Sequence, residues 1–105
     1  MGSQSGCSAA EPYALRVIGD SMEPEFRDGH IIIVDPGLPL SHEAYVVVEY
    51  ANETSFRQFW VEGGRKYLKA LNSDYPPIEI TGDLRLHGVV VQRSGTRRSE
   101  IKHYT

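Results

Sequence analysis

Short runs of hydrophobic residues, separated by glycine, proline and polar residues, recur along the whole chain. Most of the runs are rich in valine, isoleucine and aromatic residues, a composition that favours β-strands. No stretch of about ten residues repeats its apolar side chains with the period of a helix. The pattern therefore predicts an all-β fold of mostly antiparallel strands. The predicted strands are 13–18, 31–34, 44–50, 54–61, 66–71, 78–80 and 84–93.

Turn-forming residues separate these predicted strands. Asp35-Pro36-Gly37 closes one apolar strand, and Ala51-Asn52-Glu53 is a tight polar turn between two hairpin strands. Gly63-Gly64 makes a second hairpin turn, because paired glycines accept positive φ angles. Gly88, inside the last predicted strand, is expected to form a β-bulge.

Aromatic side chains alternate between the two faces of the strand 54–61. Phe56 and Trp60 share one face by parity, whereas Phe59 lies on the other face with Arg57. A strand with large apolar side chains on both faces is covered on both sides. We therefore expect this strand to be covered by the core and by a partner chain.

Length and charge limit the class of protein. The chain has 105 residues, which supports one domain, and a net charge of −3. We expect a flexible segment at 1–11, the folded domain at 12–95 and a basic, solvated tail at 96–105. The negative net charge argues against a nonspecific nucleic-acid binder, and no helix-turn-helix pattern is present, so we expect no direct DNA binding.

Other classes of site are excluded by residue usage. Cys7 is the single cysteine, so no internal disulfide forms, and four scattered histidines do not make a metal site. We expect no metal and no cofactor. No apolar run approaches the ~20 residues that span a bilayer, and no signal segment opens the chain. The sequence thus indicates a cytoplasmic protein without a membrane partner.

The candidate chemistry lies between the first two predicted strands, in Gly19-Asp20-Ser21-Met22-Glu23-Pro24. Gly19 allows a sharp bend of the backbone, and Pro24 fixes its own φ angle. Ser21 is therefore a rigidly held hydroxyl and the candidate nucleophile, provided that a base lies close by. A second interpretation is structural: Asp20 and Ser21 cap a short helical turn through Met22 to Phe26.

The segments Gly-Asp-Ser-Met and Asp-Gly-His-Ile-Ile-Ile-Val-Asp-Pro resemble the nucleophile region of the LexA-like S24 peptidases, which include LexA-type repressors, phage repressors and UmuD-type proteins of the SOS response. The loop 71–78 and the strand 87–90 resemble the same family in order and spacing. The resemblance implies a LexA-like and signal-peptidase-like β fold, a homodimer, and Ser21 as nucleophile with Gly19, Asp20 and Met22 in support. It also implies a peptide loop or a protein as partner.

The residue at the position of the family's general base differs from the family's lysine. In the resembling family a buried lysine on the hairpin strand, within Glu-x-Thr-x-Lys, accepts the serine proton. Here the segment reads Glu53-Thr54-Ser55-Phe56-Arg57, and Arg57 lies 36 positions after Ser21. A guanidinium keeps its proton at neutral pH and offers no lone pair. We expect Arg57 to donate a hydrogen bond to Ser21 and to form an ion pair with Asp20 or Glu53.

Three alternatives would keep the site active. A shifted register would bring Lys66 or Lys69 to Ser21, although this requires a shift across the Gly63-Gly64 turn. One of His30, His42 and His87 would act as the base, or Arg57 would stabilise an oxyanion while water accepts the proton.

Self-cleavage is also disfavoured because the chain lacks the pair of residues that the family cuts. The family typically cuts an Ala-Gly or Cys-Gly bond N-terminal to the nucleophile, but this chain has Gly6-Cys7 and Ala9-Ala10 instead. The favoured function is a regulatory or interaction module of LexA/UmuD type with impaired or absent self-cleavage. The alternative is an active serine peptidase or autopeptidase with an unconventional base.

Overall fold

The computed structural model describes residues 11–95 and 101–104, and all regular structure in these residues is β. Every predicted strand is present, so the predicted all-β fold is confirmed. An eighth strand, which the hydrophobic pattern did not predict, follows near the C-terminus. The strands are β1 (Tyr13–Arg16), β2 (Ile31–Asp35), β3 (Tyr45–Tyr50), β4 (Glu53–Glu62), β5 (Arg65–Lys69), β6 (Ile78–Glu79), β7 (Leu84–Ser94) and β8 (Lys102–His103).

The strands form one sheet in the order β1-β2-β7-β3-β4-β5-β6, and all paired neighbours are antiparallel. The long strand β7 lies in the middle of this order, between β2 and β3. Strand β8 pairs with β7 through Gln92 and Arg93, beyond the residues of β7 that pair with β3. The outer edge of β1 has no strand partner among the described residues.

Buried side chains form two clusters, which the alternation along β3 assigns to opposite faces of the sheet. Val46 and Val48 belong to one cluster and Val47 to the other, although all three are buried. The cleft-side cluster consists of Val17, Met22, Phe26, Ile32, Val34, Val47 and Val90. The opposite cluster consists of Val46, Val48, Phe59, Leu68 and Val89.

Aromatic residues of β4 pack on both of these clusters. Phe56 packs against the cleft-side cluster and Phe59 belongs to the opposite one. Leu38 and Leu40, from the segment between β2 and β3, help to cover the opposite cluster. The chain therefore covers both faces of β4 itself, as the aromatic pattern predicted, and cover by a partner chain stays a prediction.

The predicted turns and the predicted bulge are present. Ala51 and Asn52 have φ angles of 53° and 65°, and Gly63 and Gly64 have φ angles of 59° and 80°. At Gly88 the register shifts, since Val47 pairs with Gly88 while the next residue of β3 pairs with Leu86. A Cβ atom at Gly88 would overlap the Val34 side chain and lie 3.1 Å from the Asp35 carbonyl oxygen. Glycine is needed there because β2 and β7 approach so closely.

Part of the predicted C-terminal tail joins the sheet, although Lys102 and His103 remain exposed to solvent as expected. Lys102 and His103 pair with β7, and Tyr104 packs against the cleft-side cluster. This short polar segment has no strand pattern of its own, because the pairing depends on the free edge of β7 and on a tyrosine that reaches the core. The segments 1–10 and 96–100, with Cys7, Arg97 and Arg98, lie outside the described residues, and the domain boundaries stay predictions.

Within the described ranges no helix has the length and hydrophobicity that crossing a bilayer requires.

Candidate functional site

The segment that carries Ser21 is a tight turn anchored at both ends. Gly19 has a φ angle of +87°, and its amide donates to Asp28 Oδ1 at 2.7 Å. The turn is held by a hydrogen bond from the Phe26 amide to the Met22 carbonyl oxygen at 2.9 Å. Met22 and Phe26 are 1% and 0% exposed, so they fix the segment to the cleft-side cluster. The sequence predicted this rigidity from glycine and proline, and the two buried side chains complete it.

No capping hydrogen bond supports the interpretation of Asp20 and Ser21 as caps of a helical turn, because in the described residues no main-chain amide of 22–26 donates to either side chain. The segment from Met22 to Phe26 forms turns and no helix. The Asp20 carboxylate accepts a hydrogen bond from the Tyr75 hydroxyl at 2.7 Å instead, and Ser21 Oγ also faces a side chain from elsewhere in the fold. Both polar groups are therefore engaged in long-range contacts.

The loop between β5 and β6 braces the main chain around Ser21. The Asn72 amide donates to the Ser21 carbonyl oxygen at 3.0 Å, and Asn72 Nδ2 donates to the Asp20 carbonyl oxygen at 3.1 Å. The hydrogen bond to Asp20 raises the pKa of the Tyr75 hydroxyl, because ionising Tyr75 would remove the donated proton. Asn72 and Tyr75 are thus positioning residues that sequence reasoning did not single out, although it noted their loop as part of the resemblance.

Arg57 donates a hydrogen bond to Ser21 as predicted. The alternation along the strand assigned Arg57 to the face of Phe59, but its guanidinium lies in the cleft lined by Phe56. From β4, Arg57 Nη1 donates to Ser21 Oγ at 3.1 Å and to the Phe56 carbonyl oxygen at 2.8 Å. The predicted ion pair with Asp20 or Glu53 is wrong: in residues 11–95 and 101–104, no carboxylate oxygen lies within 4.0 Å of this guanidinium. The Asp20 carboxylate is held by Tyr75 instead, while the Arg57 carbon Cζ lies 5.9 Å from the centre of the Tyr75 ring.

The histidines considered as alternative bases lie in other hydrogen-bonding environments. His30 Nδ1 accepts a hydrogen bond from the Arg27 amide at 3.0 Å. His42 Nδ1 accepts one from a main-chain amide of β4 at 3.0 Å. His87 Nε2 lies 3.7 Å from the Glu49 carboxylate. Among the side chains that the structure describes, Arg57 is the hydrogen-bond partner of Ser21 Oγ.

The lysines of β5 also lie away from Ser21. Lys66 pairs with Val61 in the β4–β5 ladder. Lys69 places its Nζ atom 3.9 Å from the centre of the Trp60 ring, a cation–π contact. The shifted register that would make either lysine the base is therefore wrong, because β4 presents Arg57 to Ser21.

A cleft of about 530 Å³ opens in front of Ser21 and Arg57. The buried Ile32 and Val47, with the half-buried Phe56, form its floor. Its rim carries charged and hydroxyl groups besides exposed apolar side chains. The rim residues are Leu15, Arg16, Ile18, Asp20, Glu53, Thr54, Ser55 and Tyr75. The cleft is thus wide enough for a short peptide segment, with Ser21 and Arg57 facing it.

The sequence model described as "Peptidase S24-like" matches residues 4–91 of this chain. The chain belongs to the S24 peptidase-like family. The S24 resemblance drawn from the serine segment, the asparagine loop and the last long strand is confirmed by this match. The all-β sheet agrees with a LexA-like domain of that family.

Relatives of the S24 domain include regulators of several mobile elements. The chain is 40% identical to the prophage repressor CohE of Escherichia coli K12, over 86% of this chain and 42% of the relative. It is 44% identical to the HTH-type transcriptional regulator for conjugative element R391 of Providencia rettgeri, over 76% of this chain and 40% of the relative. The chain is 30% identical to a LexA repressor of Verrucomicrobium spinosum, over 78% of this chain and 41% of the relative. The chain thus spans about two fifths of the length of these curated relatives.

The S24 site of this chain combines a well-held hydroxyl with a permanent cation. The hydrogen bond between Arg57 and Ser21 runs from the guanidinium to the hydroxyl oxygen, because a guanidinium has donors and no acceptor. Such an arrangement can orient Ser21 and attract an anion, but Arg57 cannot remove the hydroxyl proton. In the described ranges, no group of three histidine, cysteine or carboxylate side chains is arranged to hold a metal ion. The roles of Ser21 and Arg57 in a reaction stay predictions.

Proposed function

We propose that this chain is a LexA/UmuD-like domain that acts as a regulatory and interaction module, with self-cleavage impaired or lost. The observation that carries the proposal is the 3.1 Å hydrogen bond from Arg57 Nη1 to Ser21 Oγ. A serine hydroxyl becomes a nucleophile when a neighbouring base accepts its proton. The family resemblance assigns position 57 to that base, and Arg57 there donates a hydrogen bond to Ser21 and has no lone pair to offer, so the proposed site lacks a proton acceptor.

The intact surroundings of Ser21 support a binding role. Asn72, Asp28 and Tyr75 hold the segment in one conformation, and the cleft beside it is open. Positioning and binding of a ligand can persist after proton transfer is lost, since ligand binding and proton transfer depend on different groups. The ligand that follows from this role is a peptide loop or an exposed segment of a protein.

The relatives support a role in transcriptional control. They are named as repressors and HTH-type transcriptional regulators, and this chain aligns with about two fifths of their length. We propose that the domain forms homodimers in the cytoplasm, as a regulatory module of such a protein would. The absence of direct DNA binding stays a prediction that concerns the S24 domain alone, because the relatives include HTH-type transcriptional regulators by name.

The first experiment follows the intact mass of the wild-type chain and of Ser21→Ala for days at pH 7 and pH 10. Neither protein is expected to lose an N-terminal fragment. Burial raises the pKa of Tyr104, and its hydrogen bond to Glu25 raises it further, so the fold loses stability as the pH rises past the ordinary value for tyrosine. Circular dichroism must therefore show that the chain is folded at pH 10. Fragment loss from the wild type alone would establish an active peptidase.

The second experiment replaces the cation by a group that can lose its proton. Arg57→Lys is expected to restore hydrolysis of a supplied loop peptide that contains an Ala-Gly bond, since a well-placed general base contributes about 10²- to 10⁴-fold. The rate should rise with pH as the amine becomes neutral. Arg85→Lys, on the exposed part of β7, is the matched control. No gain from Arg57→Lys would mean that the site has lost more than its base.

A further inference from the structure

Arg57 carries a positive charge that no carboxylate in the described structure neutralises. Its Nη1 atom is used by Ser21 Oγ and the Phe56 carbonyl oxygen, both uncharged acceptors. Its Nε and Nη2 atoms have no hydrogen-bond partner in the described ranges. By contrast, Arg65 and Arg93 each lie 3.9 Å from a carboxylate oxygen. Neither Nε nor Nη2 of Arg57 is buried without a partner, so both stay accessible, and an anion that enters the cleft can pair with them.

The charges on the walls of the cleft favour an anion with a single charge. Asp20 and Glu53 line the same cleft as Arg57 and would repel a dianion such as phosphate. The Asp20 carboxylate forms no ion pair with Arg57 and accepts a hydrogen bond from the Tyr75 hydroxyl at 2.7 Å instead. A carboxylate fits best, since its two oxygens match the planar fork of a guanidinium.

The apolar walls indicate what the carboxylate belongs to. Leu15 is 38% exposed and Ile18 is 82% exposed, and both line the cleft that contains Arg57. Strand β1, which carries Leu15, has an outer edge with no strand partner in the described residues. An extended peptide can therefore lie along β1, place an apolar side chain on these residues and pair with the free backbone groups.

We propose that the cleft binds the C-terminal end of a peptide whose last residue is apolar, with the α-carboxylate held by Arg57 beside the Ser21 hydroxyl. A chain end suits the site because it carries a carboxylate directly beside an apolar side chain, and Arg57 lines the same cleft as the exposed Leu15 and Ile18. The inference rests on the proposed function, since the ligand stays bound without being cut. It adds the chemical class of the ligand.

The test measures fluorescence anisotropy with a fluorescein-labelled peptide Ala-Ala-Ala-Val. One form ends in a free carboxylate and the other in an amide. The free acid is expected to bind the full chain about tenfold more tightly, the ratio that one charge-assisted hydrogen-bonded pair supplies. In Arg57→Gln the two forms should bind equally, because the charge has been removed. Arg85→Gln removes an exposed arginine outside the cleft and should leave the tenfold preference unchanged.

Three results would overturn the inference. The first is equal affinity for acid and amide in the wild type, or no binding of either. The second is loss of the preference in Arg16→Gln while Arg57→Gln retains it, which would assign the anion to the other arginine of the cleft. The third is equally tight binding of an amidated peptide with an internal aspartate, which would show that no chain end is required.

The same titration separates this inference from the proposed function. Mass spectrometry of the peptide after incubation reports cutting, and cutting by the wild type would contradict the proposed function alone. The preference for the free acid must then be judged in Ser21→Ala, which keeps Arg57 and lacks the hydroxyl. A preference that persists there supports the carboxylate site, and one that vanishes there overturns it.

Discussion

The two sides of the cleft are held in different ways. On one side, the turn with Ser21 is fixed by the buried Met22 and Phe26 and by hydrogen bonds from the main-chain amide and the side chain of Asn72. On the other side, Arg57 extends from β4 and makes two hydrogen bonds through a single nitrogen. The serine side is part of the core, whereas Arg57 is a cation at the core's margin with no carboxylate partner in the described residues.

Positioning of the Ser21 hydroxyl and activation of that hydroxyl are therefore separable. Packing and main-chain hydrogen bonds keep Ser21 in place whatever residue stands opposite. Activation depends on whether that one residue can accept a proton, and arginine cannot. Substitutions on the serine side should therefore change stability, and substitutions at Arg57 should change ligand binding and chemistry.

The largest effect is expected from Phe26→Ala, which removes the main anchor of the serine side. Phe26 is fully buried, and its ring centre lies 4.9 Å from Tyr45 and 4.8 Å from Phe56. Truncating a buried phenylalanine costs about 3 to 5 kcal/mol. Urea denaturation measures this loss, with the exposed Ile18→Ala as the control, for which a change below about 0.5 kcal/mol is expected. Similar values for both variants would contradict the anchoring role.

The next largest effect is expected from Asn72→Ala. This variant loses the hydrogen bond from Nδ2 to the Asp20 carbonyl oxygen and the one from the Asp74 amide to Oδ1. The expected loss of stability is about 1 to 2 kcal/mol. Hydrogen exchange should quicken at the amides around Ser21 and stay unchanged in β4. Ser73→Ala is the control, because its exposed side chain lies in the same loop. Faster exchange in β4 as well would show that the two sides are coupled.

A smaller change in stability is expected from Arg57→Gln. The variant loses two hydrogen bonds, but it also removes a half-buried charge that lacks a counter-ion. These contributions oppose each other, so the free energy of unfolding should change by less than about 1 kcal/mol. Thermal and urea denaturation measure this change in the free energy of unfolding, with Arg85→Gln as the control. A loss above about 2 kcal/mol would make the guanidinium a structural part of the core and remove the contrast between the two sides.

The smallest effect concerns Glu25, at the end of the serine segment. Burial alone would raise the pKa of Glu25, but hydrogen bonds from Lys102 and Tyr104 outweigh it, and the pKa lies below its ordinary value of 4.5. A lowered pKa in the folded state stabilises the protein above the ordinary value, and this contribution disappears as the pH falls through the lowered one.

The free energy of unfolding of the wild type should therefore fall more steeply below about pH 4.5 than that of Glu25→Gln. The free energy of unfolding is measured by urea denaturation at a series of acidic pH values. The slopes of its plots against pH are compared between variants, with Glu11→Gln as the control. Parallel curves for wild type and Glu25→Gln would mean that Glu25 does not tie the serine segment to β8.

Local patterns predicted the strands well, because alternation, β-branched residues and turn glycines act over a few neighbouring positions. The exception is β8, where Lys102 and His103 have no strand pattern and become a strand by pairing with Gln92 and Arg93. The cleft was predicted less completely. Ser21 and Arg57 were identified, but the partner of Asp20 was not, because Tyr75 lies 55 positions away along the chain.

Residue identity alone establishes the chemistry of Ser21 and Arg57. The sequence places a hydroxyl after Gly19 in a tight turn and a side chain without a proton acceptor at position 57, and both facts follow from residue identity. The folded chain is needed to show that Arg57 lies 3.1 Å from Ser21 Oγ and that Asn72 braces the turn. It is also needed to show that no carboxylate within the described ranges reaches the guanidinium. Those contacts join positions 36 to 52 residues apart, and the packing of loops and strands into one sheet and core brings such positions together.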